Sequence, residues 1–298
     1  MEIGDWASPG GIAETYRDAR DLGLEVNIAE LEALGFTIIP PERTGAPADF
    51  AGRLLGRIQE IADDEDAAAV ALNQHETTKP ADGRQLFNLL PRDPIFIEAM
   101  MNPVVRTLGA YVLGRSFRFS GMVAFMKETQ ARPTRLHCDS VGTPSPLPFY
   151  STLCNLSWIL TDYTVENGTL GMVPGSHRNC RHPIESEQPV FCGGQMDPKS
   201  VAPIVAAPGS LAIFSGNTWH CTFPKTSSNM RAHLAMTFSR NFVAPAESFA
   251  DLPDGTASKW GDEFARLIGR TAWQGYGAEG PQLERLMAVY AAGQSIYA

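Results

Sequence analysis

Apolar residues recur at helical spacing through the first third of the chain and at strand spacing through its middle. Residues 11–22 and 27–34 carry the spacing of amphipathic helices. Gly35 then closes the second of these, and Phe36-Thr37-Ile38-Ile39 reads as a short strand stopped by Pro40 and Pro41. Residues 49–64 place Phe50, Leu54, Leu55, Ile58 and Ile61 on one stripe, which predicts another helix. Residues 93–113 are helical in pattern, with Pro103 either splitting them in two or standing in the first turn of a second helix.

From Phe117 onward the period shortens. Strands are expected at 118–127, 151–160, 169–173, 210–213 and 233–239, punctuated by Pro144, Pro146, Pro148, Gly168, Pro174-Gly175, Pro208-Gly209 and Pro224. Several short strands behind a helical block predict a mainly β fold, a sandwich or jelly roll carrying a helical layer. The tail from Glu263 reads as helical, interrupted around Gly275, Gly277 and Gly280. The absence of any repeat or linker favours one domain over residues 1–298. Its helical support would span about 10–115 and its β core about 117–245, with a helical tail.

Bulk properties narrow the partners. At 298 residues the chain can bury a large core. Its net charge of −9 argues against nucleic acid or an anionic membrane as partner. No apolar run nears the roughly 20 residues of a membrane span, and Met1-Glu2-Ile3-Gly4-Asp5-Trp6 does not resemble a secretory signal. Five cysteines with no CxxC pair fit a reducing cytoplasm better than a disulfide framework. A small-molecule substrate is the expected partner, and a homo-oligomer is left open.

The chemistry concentrates at His137 and Asp139, one residue apart in Leu136-His137-Cys138-Asp139-Ser140, and at His220 much further on. In a strand, residues two apart share a face, so His137 and Asp139 can reach one ion while Cys138 turns away. A distal His arriving from an opposed strand or loop completes two imidazoles and one carboxylate. That set leaves one face of a metal open and suits non-haem Fe(II). Arg231 follows one strand-length later, where a guanidinium can grip a carboxylate bidentately. Any single His is more often a plain core or surface residue; the ordered set is what points to a metal. Cys138 and Cys221 read as small core fillers.

Further segments fall in the same order. Gly35-Phe36-Thr37-Ile38-Ile39-Pro40, Leu86-Phe87-Asn88-Leu89-Leu90, Trp158 through Glu166-Asn167-Gly168, and Pro174-Gly175-Ser176-His177 flank the His137, Asp139, His220 and Arg231 set. Over roughly residues 30–245 the chain resembles the phytanoyl-CoA dioxygenase family of Fe(II)/2-oxoglutarate-dependent oxygenases. The resemblance implies a double-stranded β-helix, a cupin-like jelly roll with supporting helices. It implies Fe(II) on His137, Asp139 and His220, and 2-oxoglutarate as co-substrate with its far carboxylate on Arg231. Thr222 matches a hydroxyl assisting that carboxylate, and Trp158 matches an aromatic lining the co-substrate pocket. Thr134 stands where many relatives carry Gln, a departure from the pattern. His177 reads as a turn residue. The implied reaction consumes O2, releases succinate and CO2, and most simply hydroxylates an unactivated C–H. Since position 139 is Asp, halogenation is not expected.

The proline-rich residues 140–150 read equally as a wall of the substrate mouth or as a rigid connector. Phe125, Phe149, Tyr150 and Trp219 are candidate apolar contacts. A small, largely apolar metabolite, such as a natural-product intermediate, is the expected substrate. The competing readings are a cupin-like metal enzyme that does not use 2-oxoglutarate, and a non-enzymatic metabolite-binding relative.

Overall fold

The helical first third is held together by local backbone chemistry visible in its caps. The computed structural model describes residues 9–71, 83–127 and 132–270, together with 276–277, 280–281, 283–284 and 287. In chain order the principal elements begin with α1 (Pro9–Asp21), α2 (Glu25–Leu34), β1 (Phe36–Ile39), α3 (Phe50–Ala71), β2 (Arg84–Leu86), α4 (Pro94–Met101) and α5 (Pro103–Leu113). They continue with β3 (Arg118–Lys127), β4 (Leu153–Ile159), β5 (Leu170–Met172), β6 (Ala202–Pro203), β7 (Leu211–Ser215), β8 (His220–Thr222) and β9 (Arg231–Ser239). The last are α6 (Thr256–Leu267), β10 (Tyr276–Gly277) and β11 (Gly280–Pro281). Asp93 caps α4 by accepting from Ile95 N at 2.9 Å. Asn102 caps α5 by accepting from Val104 N at 2.9 Å and Val105 N at 3.4 Å. Pro103 therefore opens a new helix, since its ring needs no amide partner at the first helical position.

Six strands form one antiparallel sheet in the order β1-β7-β4-β9-β3-β2, and three form a second in the order β6-β5-β8. Alternation along the strands sorts the side chains. On β4, Cys154, Leu156 and Trp158 join Leu211, Ile213, Leu234, Met236 and Phe238 in the core under the helices. The opposite face carries Asn155, Ser157 and Ile159. Ile159, Ala212 and Phe214 of the large sheet pack against Leu170 and Met172 of the small one, so the two sheets lie face to face. Beyond the small sheet, Leu136, Cys138, Leu147, Val201, Trp219 and Cys221 form a third cluster.

The helical lead-in is stitched to the β core at Gly35, the left-handed cap of α2 (φ 86°). Its carbonyl accepts from Thr218 Oγ1 at 2.8 Å and from Ser215 N at 3.0 Å. A Cβ there would lie 2.5 Å from His177 Nδ1, so only glycine fits. His177 is accordingly a turn residue packed on Gly35.

Three expectations need correction. His137 and Asp139 lie outside any ladder strand, Asp139 at a bend; His137 makes a bridge to His220, and Asp139 N donates to Gly216 O at 2.9 Å. The C-terminal helix starts earlier than Glu263, at Thr256, and ends at Leu267, bending at Gly261 (φ 86°); the two-strand hairpin of β10 and β11 stands at the expected glycine interruption, and residues 283–284 and 287 beyond it are helical. Gly275 and residues 288–298, which that expectation included, lie outside the described residues. Trp158 faces the helices.

Candidate metal centre

The backbone brings the histidines together. His137 N donates to His220 O at 2.9 Å and His220 N donates to His137 O at 2.8 Å, an antiparallel pair whose side chains rise on one side. Their ring centroids are 4.2 Å apart. Asp139 Oδ1 is 3.5 Å from His137 Nε2, and Asp139 Oδ2 is 3.5 Å from His220 Nε2. One donor atom from each of His137, Asp139 and His220 lies within 4.8 Å of the others.

Each imidazole is oriented by its other nitrogen. His137 Nδ1 donates to Arg135 O at 2.7 Å and His220 Nδ1 donates to Thr218 O at 3.0 Å. Carbonyls only accept, so both Nδ1 atoms carry a proton and both Nε2 atoms turn toward the carboxylate. Burial pushes the His220 pKa below its ordinary value and keeps the ring neutral. Burial also pulls His137 down, but the hydrogen bond and charge of Asp139 outweigh it and the net shift is upward. For Asp139, burial favours the neutral acid, yet the nearby His220 and His137, with Asn155, hold its pKa below the usual carboxylate range.

Asn155 is the site residue that sequence reasoning passed over. Its Nδ2 donates to Asp139 Oδ2, and its Oδ1 accepts from Thr237 Oγ1 at 2.7 Å. Two polar residues, Asn155 and Ser157, at alternate positions of an otherwise apolar strand were the available signal.

Arg231 points inward from β9 and is almost fully buried. Nη1 donates to Gly168 O, and the guanidinium lies 5.4 Å over the Tyr163 ring. Gly168 is two residues from Leu170, the cross-strand partner of Thr222, so Arg231 reaches the small sheet close to the strand bearing His220. Arg231 makes no ion pair among the described residues. Arg231 Nε, Tyr163 OH and His233 Nδ1 are buried without a hydrogen-bond partner. The Tyr163 and His233 rings meet at 6.0 Å. Burial pushes the Tyr163 phenol up to about 12 and the His233 imidazole well below its usual value, so both stay neutral beside the guanidinium.

Thr222 shares the inward face of β8 with His220. Its Oγ1 accepts from Thr134 N at 2.7 Å and from Thr134 Oγ1 at 3.1 Å, leaving its own proton for another acceptor. Thr134 is thus next to Thr222. Trp158 is not brought to this site: it is fully buried on the helix side, donates Nε1 to Ala99 O at 3.2 Å and meets Phe50 at 5.0 Å. Its even position on β4 puts it on the face opposite Asn155. Cys138 and Cys221 sit in the outer cluster, turned from the histidines. Trp219 is in that cluster too, with Nε1 on Arg181 O at 2.9 Å.

The sheet face that carries Asn155 continues onto β9 and β3. Their inward positions Val123, Phe125, Ala235 and Thr237 remain partly accessible, while the alternating Ala124, Leu234 and Met236 are sealed in the core. Residues 140–150 follow His137 and Asp139 in the chain and are tied down by Asn217, whose Oδ1 accepts from Ser140 Oγ at 2.6 Å and whose Nδ2 donates to Pro148 O at 3.0 Å.

A phytanoyl-CoA dioxygenase (PhyH) family model matches residues 35–233. "Dioxygenase af480" of Aspergillus fumigatus is 26% identical over 249 residues, covering 81% of this chain and 76% of that protein. HygX from Streptomyces hygroscopicus, solved with nickel and 2-oxoglutarate, shares the fold with a TM-score of 0.57 at 16% identity, over 76% of this chain and 93% of that one. SnoN, the non-haem alpha ketoglutarate dependent epimerase from nogalamycin biosynthesis, does so with a TM-score of 0.53 at 19% identity, over 80% and 92%. No helix among the described residues is long and apolar enough to cross a membrane.

Proposed function

The chain belongs to the phytanoyl-CoA dioxygenase family, and from that premise we propose an Fe(II)/2-oxoglutarate-dependent oxygenase, a single catalytic domain with iron on His137, Asp139 and His220. The observation that carries this reading is the convergence of two imidazole Nε2 atoms and one carboxylate, each imidazole held by a backbone carbonyl. Two nitrogens and one oxygen on one side suit ferrous iron and leave the other side open.

The co-substrate fits the next layer of the site. Arg231, buried with no carboxylate partner among the described residues, supplies a charge that a ligand carboxylate would neutralise. Arg231 Nε and Tyr163 OH supply unused donors, and Thr222 has a proton free to give. Thr134 acts through Thr222 by holding its hydroxyl in place. When bound, iron, 2-oxoglutarate and dioxygen supply the oxidising chemistry, in which the co-substrate is converted to succinate and CO2 while a substrate C–H is oxidised. The protein orients both partners and excludes water.

Hydroxylation of a small, largely apolar metabolite, in natural-product metabolism, is the reading best supported for the substrate. The accessible floor, Val123, Phe125 and Ala235, is apolar, with the Thr237 hydroxyl at one end. Residues 140–150 form one wall, with Phe149 and Tyr150 at its outer edge.

The test is anaerobic titration with Fe(II) and then 2-oxoglutarate, watching the metal-to-ligand absorption band, followed by a metabolite screen for oxygen-dependent succinate release. A band that shifts with a metabolite, with stoichiometric succinate and an oxidised product, supports the reading. Absence of iron binding, or turnover without succinate, overturns it.

A further inference from the structure

Asn155 and Thr237 are cross-strand partners at the centre of the large sheet, one on β4 and the other on β9. Both project inward, and they form a hydrogen-bonded chain that ends on Asp139. The chemistry fixes the direction of every bond. A carboxylate only accepts, so Asn155 must present its NH2 to Asp139; its carbonyl then faces Thr237, whose hydroxyl donates at 2.7 Å. Asn155 is buried, which shields the amide from bulk solvent.

We propose that Asn155 is a positioning residue that keeps Asp139 monodentate, and that Thr237 locks Asn155 in the one orientation that does this. The inference rests on the iron reading above. A carboxylate with both oxygens free can chelate a metal through both and fill two positions. Here the Asn155 amide engages Oδ2, and Oδ1 remains for the ion. The position spared is one of the two that a keto acid needs in order to chelate. The amide would therefore act on co-substrate binding through the geometry of Asp139, without touching either ligand itself.

The full-length chain, loaded anaerobically with saturating Fe(II), provides the test. The 2-oxoglutarate Kd and the position of its absorption band are measured for wild type, Asn155→Ala, Thr237→Val and Thr237→Ser, with melting curves alongside. Loss of a residue that orients a metal ligand changes affinity or activity by about 10- to 100-fold. The expected result is a rise of that order in 2-oxoglutarate Kd for Asn155→Ala, a smaller rise in the same direction for Thr237→Val, and values within twofold of wild type for Thr237→Ser. The band should move in the first two variants and stay in the third. If Asn155→Ala fails to fold or to load with iron, the two Thr237 variants decide, because valine keeps the shape and removes only the donor. Unchanged Kd and band in Thr237→Val and Asn155→Ala at saturating iron would overturn the positioning role alone. Failure of the wild type to bind iron would overturn the parent reading and this one with it.

Discussion

His137 and His220 are opposite one another in a single antiparallel bridge, each amide bonded to the other's carbonyl. Residues so paired present their side chains to the same side, so the backbone itself sets the distance between the two imidazoles. Asp139 then needs only the two-residue spacing from His137 to join them. Alanine at His137, Asp139 or His220 should abolish iron-dependent succinate formation. It should also weaken Fe(II) binding severely, as read by competition with a chelator, while the melting temperature of the metal-free protein changes little for the partly exposed His137.

Arg231→Ala separates co-substrate from metal. A charge-assisted hydrogen bond contributes about 1.5–3 kcal/mol, which corresponds to roughly a 10- to 100-fold rise in 2-oxoglutarate Kd. Iron affinity measured without co-substrate should remain within about twofold of wild type, a band narrower than the smallest effect that free energy implies. Loss of folding with no change in co-substrate affinity would mark Arg231 as a structural residue.

Trp158→Phe tests where that side chain points. It removes the bond to Ala99 O and leaves a small gap against Phe50. A stability loss of about 1–3 kcal/mol is expected from the unpaired buried carbonyl, with 2-oxoglutarate affinity unaltered. A selective loss of that affinity would restore the pocket-lining role implied by family resemblance.

Acid stability should report on His233. Its folded-state pKa is pushed well below 6.5, first by burial and then by the charges of Arg231 and Lys127. Below about 6.5 the unfolded chain therefore binds a proton that the folded chain refuses, so this contribution is fully present above pH 6.5 and is lost as pH falls. Chemical denaturation between pH 7.5 and 5 should show stability falling with decreasing pH, by up to about 1.4 kcal/mol per pH unit from this group. His233→Phe, which can keep the stack on Phe125, should flatten that slope. An unchanged slope would assign the acid sensitivity elsewhere.

Phe149, in the segment that follows Asp139, is 88% exposed. Alanine there should alter stability by less than about 0.5 kcal/mol. If residues 140–150 form the substrate wall, it should also raise the KM of an apolar substrate several-fold without moving the 2-oxoglutarate Kd. Equal KM values would leave the segment as a connector.

The legible parts of this molecule were those with a period or a cap. The apolar run of β3 was bounded as expected at 118–127, and Pro103 marked the break between α4 and α5. The convergence of His137 and Asp139 was readable from their two-residue spacing, even though no ladder supports them there. What escaped was short or relational. β8 is three residues long, too brief to show alternation, and is strand only because Leu170, Gly171 and Met172 lie beside it. Trp158 was assigned by its place in a motif, whereas its parity along β4 decides which layer it enters. Asn155 looks unremarkable until Thr237 and Asp139 arrive from elsewhere in the chain.

The strand order carries a consequence for how the chain is made. β9, the last of the six strands to leave the ribosome, sits between β4 and β3, with its partners on both sides synthesised long before it. Until it emerges, two strand edges lack their neighbour and can recruit another nascent chain instead. Folding must therefore wait for distant pairing, which is slow. Expression at lower temperature or slower synthesis should recover more folded enzyme than any adjustment to the helical first third.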